Sequence, residues 1–296
     1  MKPVFNVLIF SLFLFSCNSE PVANDALSVA EFAYQESPTA ANMNNLTAAY
    51  TEYLEKNPGT PKATEYRLKL AEIQMKNNRF TEALANFKTI LRNDIKSPQA
   101  PKAALNLAEL YGTKLNNPLG QSAVYQGFIK AFPNHGKVGE VKSKVSNDTL
   151  DMAKMLQDLG GRIYSDQTNR IDYKVGNDFI NIAEIHAMFL PDDPNTAEYL
   201  HDAGRTAGYM KSFPKAIDLY GMVVEKYPNH EQTANSTFML GYTYDNDLKD
   251  YGEARKYYEM FLSKYPSHDL AASAKVLLEN LGVPDDQIIE KLQKNG

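Results

Sequence analysis

From Ala26 to the end of the chain, apolar residues recur at three- and four-residue intervals, the spacing of one buried stripe on a helix. Leu27, Ala30, Phe32 and Ala33 predict a first helix that stops near Ser37-Pro38. Leu46, Ala49, Tyr50, Tyr53 and Leu54 predict a second, ended by Asn57-Pro58-Gly59. A hairpin then pairs Tyr66, Leu70 and Ile73 with Phe80, Ala83, Leu84, Phe87, Ile90 and Leu91. Another pairs Leu105, Leu107, Leu110 and Tyr111 with Tyr125, Phe128 and Ile129, and closes at Phe132-Pro133-Asn134-His135. Residues 136–146 read as a polar, basic connection or short helix. Leu150 to Leu159 is helical up to Gly160-Gly161, and residues 165–170 form a loop. Phe179, Ile182, Ala183, Ile185, His186 and Phe189 make a further stripe, ended by the Pro191–Pro194 turn. Ala271 to Leu281 closes the series. Pro284-Asp285-Asp286 then opens a last helix through Ile288, Ile289 and Leu292, its acids placed in the first turn. The expected fold class is all-α, built of helical hairpins.

The most regular stretch runs from Glu198 to His268. It contains Leu200, Gly204, Phe213, Ala216, Tyr220 and Pro228, and then Leu240, Gly241, Tyr244, Ala254, Tyr258 and Pro266. A helix-ending proline thus recurs at a spacing expected of a helical-hairpin repeat. This resembles the tetratricopeptide repeat, whose alanine marks the closest approach of two antiparallel helices and whose proline ends the second. The resemblance extends over most of the chain and implies a right-handed superhelical solenoid with a C-terminal capping helix. A stack of hairpins needs such a cap, because its last apolar face would otherwise meet water.

A longer period of 133 residues is also present. It places Glu65-Tyr66 on Glu198-Tyr199, Phe80 on Phe213, Ala83 on Ala216, Tyr125 on Tyr258 and Pro133–His135 on Pro266–His268. Independent repeats share a short period but not this one, so the expectation is a tandem duplication. Residues 26–135 form a first module, 136–150 a connection, 151–268 a second module and 269–296 the cap.

Met1 and Lys2 precede an apolar run from Val4 to Phe15, too short for a membrane span and suited to a signal peptide over residues 1–16. The run ends Leu14-Phe15-Ser16-Cys17, which resembles the lipobox of bacterial lipoproteins. Cys17 is the single cysteine of the chain, so a disulfide within one molecule is excluded. The resemblance implies acylation of Cys17, palmitate included, with residues 17–25 as a flexible tether.

At 296 residues and 43% hydrophobic content the chain can bury a large core. Its net charge of −5 argues against nucleic acid as a main partner. No phosphate loop, zinc motif or nucleophile elbow occurs, and no carboxylate or His/Ser constellation falls at helical spacing. The sequence gives no reason to expect catalysis, a cofactor or a metal. Three of the five histidines end the related motifs at His135, His230 and His268, on separate repeats where they cannot share one ion. His186 and His201 read as buried structural histidines. Asp245-Asn246-Asp247 imitates the start of a calcium loop, but Asp250 and Lys256 stand where glycine and glutamate are needed, so residues 245–250 read as a solvated turn one residue longer than usual.

The resemblance further implies a concave groove lined by the first helix of each hairpin. Its positions fall on Glu65 and Glu72, on Lys102 and Glu109, on His201, Arg205 and Tyr209, and on Asn235, Phe238, Tyr242 and Asp245. The aromatic and arginine content near residues 205–242 suits a binding surface or inter-helix packing. Together with the lipobox, these features resemble the repeat lipoproteins of the bacterial envelope, such as those associated with the Tol-Pal system and with outer-membrane assembly. The implied role is a non-enzymatic scaffold for envelope proteins or peptides, lipid-anchored at the outer membrane. The alternative is a lipoprotein that captures a glycan or peptide for an envelope transporter.

Overall fold

The structure is a computed structural model that describes residues 25–145, 151–165, 170–283 and 287. The expected signal peptide, Cys17, almost all of the tether and the final capping helix lie outside the described residues. The chain divides into two compact units after Tyr66.

The first unit holds α1 (Asp25–Glu36), α2 (Ala40–Lys56) and the start of α3 (Pro61–Lys76). Thr39 caps α2 by accepting from the Asn42 amide. The Tyr50 hydroxyl donates to Glu31 at 2.6 Å, and Tyr53 meets Tyr66 edge-on at 4.8 Å. Leu27 is buried, but Phe32 is 66% exposed, which corrects its expected place on the buried stripe. Five residues of helix carry Phe32 about 140° around the axis from Leu27.

The second unit continues through α3 into α4 (Phe80–Asn93), α5 (Ala100–Glu109), α6 (Pro118–Ala131), α7 (Val138–Lys144), α8 (Met152–Gly160), α9 (Tyr173–Phe189), α10 (Thr196–Tyr209), α11 (Phe213–Lys226), α12 (Gln232–Tyr242), α13 (Tyr251–Lys264) and α14 (Ala271–Glu279). From α4 onward consecutive helices pack together, except that α6 also packs on α9. One core runs from Leu68 to Leu240, and a smaller one joins α12, α13 and α14 around Phe238, Tyr258 and Phe261. The expected loop after α8 is framed by a short antiparallel ladder, β1 (Tyr164–Ser165) with β2 (Arg170–Ile171), a small departure from the all-α expectation.

The connectors between hairpins share one geometry. Ser97, His135, Asp193, His230 and His268 each donate their amide to the carbonyl three residues back and accept from the amide three residues on. The three histidines also accept from the amide two residues on through Nδ1, and Asp193 does so through Oδ1, an Asx turn. The Pro-x-His motif is therefore the local start signal of the next helix.

Several other features recur 133 residues apart. A π-helical turn follows α5 at Leu110–Lys114 and α12 at Thr243–Asp247. Left-handed residues end helices at Asn78 and Lys211, and again at Asn116 and Lys249. Helices α4 and α11 match in both bounds at this spacing, as do α6 and α13. The long turn expected at 245–250 is thus a π-turn, in which one extra residue is taken up inside the helix.

Where α4, α9 and α11 come together, Glu184 is 4% exposed and binds Lys88 at 2.8 Å, Lys215 at 2.9 Å and Arg92 at 3.2 Å. Asp218 completes the set through Arg92. Asn181 accepts from both Lys88 and Tyr111. Burial alone would raise the Glu184 carboxyl, but Lys88 and Lys215 outweigh it and hold the group well below the usual carboxylate range.

Candidate interaction groove

The expected groove positions lie on the first helices of the hairpins, and two clefts open on that side. One, about 430 Å³, lies between the C-terminal part of α3 and α5, and is lined by Glu72, Lys102 and Glu109 together with Lys76, Asn78, Asn106 and Lys114. Lys102 pairs with Glu72 at 2.6 Å, and Asn106 donates to the same carboxylate. The other, about 630 Å³, lies between α8 and α10, with Asp151, Lys154, Glu198, Asp202 and Arg205 at its edge and Ile163 and Phe179 in its wall. Arg205 is held by Asp202 at 3.0 Å. Burial raises the Asp202 carboxyl, while Arg205 opposes that rise.

Two tyrosines expected in the groove are exposed. Tyr209 ends α10 and meets Tyr164 of β1 edge-on at 5.7 Å. Tyr242 ends α12, its ring parallel to that of Phe238 at 6.3 Å. Asn235 is half-buried and donates to Gln232, and Glu65 pairs with Lys62 in the first unit.

Three expected groove residues face inward, which corrects their assignment to an exposed surface. His201 lies against Tyr220 and bonds Ser236 at 2.9 Å; burial and then Arg205 push its imidazole down to about 4, so it is neutral near pH 7. Phe238 is buried against Tyr258 and Phe261. Asp245, expected in a solvated turn, is 9% exposed and accepts from the Tyr258 hydroxyl at 3.4 Å. Fixed offsets along an ideal helix missed this because the π-turn advances the chain by one residue and so turns Asp245 inward.

The glycines of the repeat signature have a steric reason. A Cβ at Gly204 would fall 2.7 Å from Tyr220, and one at Gly241 would fall 2.7 Å from Tyr258. Lys76, Lys114, Lys154, Tyr164 and Asp202 belong to the same side but were not expected there. Tyr164 is the least legible, because it lies in an insert with no repeat register.

His186 and Thr196 bond each other across the α9–α10 connector, and burial pushes the His186 imidazole down. Among the described residues, no group of histidine, cysteine and acidic side chains is arranged to hold a metal ion, and no helix is long and apolar enough to cross a membrane.

Sequence-family comparison matches tetratricopeptide repeat models to residues 236–268 and to residues 47–98 and 68–114. The chain therefore carries tetratricopeptide repeats in both halves. No curated protein matches it. Among solved structures, it aligns with the TPR2AB-domain:pHSP90-complex of yeast Sti1 at 13% identity, over 86% of this chain and 97% of that one, with a TM-score of 0.31. That score does not amount to a shared arrangement of the whole set of helices.

Proposed function

We propose that this protein is a non-enzymatic scaffold that binds partner proteins of a bacterial cell envelope along the first helices of its hairpins. A lipid on Cys17 holds it at the outer membrane in this reading. The groove is supported by one observation above the others: exposed Arg205, Tyr209 and Tyr242 lie on the first-helix side of a chain that carries tetratricopeptide repeats. Rigid aromatic rings and a guanidinium are the residue types that carry binding energy at protein interfaces. The anchor is supported by the short apolar run that ends at the single cysteine. Two acyl chains make attachment stable where one gives marginal binding.

A crosslinking pull-down from membranes, run with the intact chain, Cys17→Ala and Tyr209→Ala, tests both parts. The intact chain is expected to return protein partners from the membrane fraction. Cys17→Ala is expected to move to the soluble fraction, and Tyr209→Ala to stay on membranes with weakened capture. Unchanged membrane retention of Cys17→Ala would defeat the anchor. Recovery of soluble sugars with no protein partner would defeat the scaffold.

A further inference from the structure

The net charge of −5 hides a sorting of charge along the chain. Residues 67–145 carry thirteen basic and five acidic side chains, a net of +8. Residues 151–283 carry thirteen basic and twenty acidic side chains, a net of −7. The sorting reaches both clefts on the first-helix side. Between α3 and α5, Lys76, Lys102 and Lys114 outnumber Glu72 and Glu109. Between α8 and α10, Asp151, Glu198 and Asp202 outnumber Lys154 and Arg205.

Internal pairing does not cancel this difference. Lys102 is matched by Glu72, and Arg205 by Asp202. Lys76 and Lys114 at one end, and Glu198 at the other, are exposed and make no ion pair among the described residues. Exposed charges act over a Debye length of about 8 Å at physiological salt, and cleft walls of low polarizability strengthen the local field. A segment lying along both clefts gains at each end when its charges are sorted the opposite way, and loses at each end when reversed. Complementarity of this kind sets orientation and rejects wrong partners more than it adds raw affinity.

We propose that the groove takes an extended segment of a partner protein in one orientation, its acidic end beside α3 and α5 and its basic end beside α8 and α10. This rests on the groove reading above and adds the partner's charge order to it. Two synthetic peptides of identical composition provide the probe. One carries glutamates in one half and lysines in the other around a central tyrosine, and the second alternates the same charges. Each bears a photocrosslinker at either end.

The sorted peptide is expected to bind about tenfold more tightly than the alternating one, with the preference fading as salt is raised. Crosslinks from its acidic end are expected on α3 and α5, and those from its basic end on α8 and α10. Lys76→Glu with Lys114→Glu, both at exposed positions, is expected to remove the preference while circular dichroism stays unchanged. Equal binding of the two peptides, or crosslinks in the opposite order, would overturn the proposal. So would a salt-sensitive dimer in sedimentation with no peptide bound, since the sorted charges would then pair two copies. If the peptides are not discriminated but Tyr209→Ala still weakens partner capture, the groove stands and only the charge order fails.

Discussion

Two tyrosines in matching places have different surroundings. Tyr258 donates to Asp245, whereas the Tyr220 hydroxyl is buried with no hydrogen-bond partner. The reason lies four residues beyond the repeat glycine, where Asp245 follows Gly241 but Gly208 follows Gly204. A buried hydroxyl left unpaired costs about 1–3 kcal/mol, while a satisfied one contributes about 1 kcal/mol. Tyr220→Phe is therefore expected to leave the melting temperature unchanged or raise it, and Tyr258→Phe to lower it. Equal losses in thermal denaturation would contradict this account.

A related exchange of size occurs one duplication period earlier. At Gly112 the Gln121 side chain occupies the space a Cβ would need, whereas the positions 133 residues on are Asp245 and Ala254, with the larger residue on the other helix. Such swaps are legible only once it is known which helices face each other.

Among the elements, the connectors and turns repeat more faithfully than the helix faces. His135, His230 and His268 act through Nδ1 on an amide two residues on, the task Asp193 performs through a carboxylate oxygen. Replacing any of these histidines by alanine is expected to cost about 1 kcal/mol, within the range of a lost helix-start acceptor. Replacement by aspartate is expected to cost less, as read by urea denaturation; an equal cost would show that the imidazole matters through its ring contacts instead. Those contacts are edge-on packing of His135 on Phe128 and of His268 on Phe261.

Helix periodicity and the proline stops placed these elements well, because both act within a few residues. The π-turns were legible only as one surplus residue, and the β1–β2 ladder not at all. A pair of two-residue strands leaves no alternating pattern to read.

At the scale of the whole molecule, the Glu184 network ties α4 to α9 and α11, helices far apart in sequence. Burying an ion pair is weak evidence for net stability, but removing one partner leaves uncompensated charge and costs about 3–5 kcal/mol. Glu184→Leu is expected to destabilise by that order in chemical denaturation. The carboxyl's folded value lies below its unfolded value of about 4.3. Its contribution is therefore present above that pH and lost as pH falls from there toward the folded value. Stability that stayed flat through this acid window would argue against the network as drawn.

None of the members of that network stood out in the sequence. Lys88, Arg92, Glu184 and Lys215 look like ordinary solvated charges until the helices that carry them meet. The sequence by itself determined the helices, their stops, the repeat signature with its glycines and the candidate anchor at Cys17, because these depend on local spacing and steric size. Only the tertiary structure decided that His201, Phe238 and Asp245 face inward while Tyr209 and Tyr242 face out. That choice depends on π-turns, on the insert after α8 and on the packing of neighbouring hairpins, which no fixed offset along one helix contains.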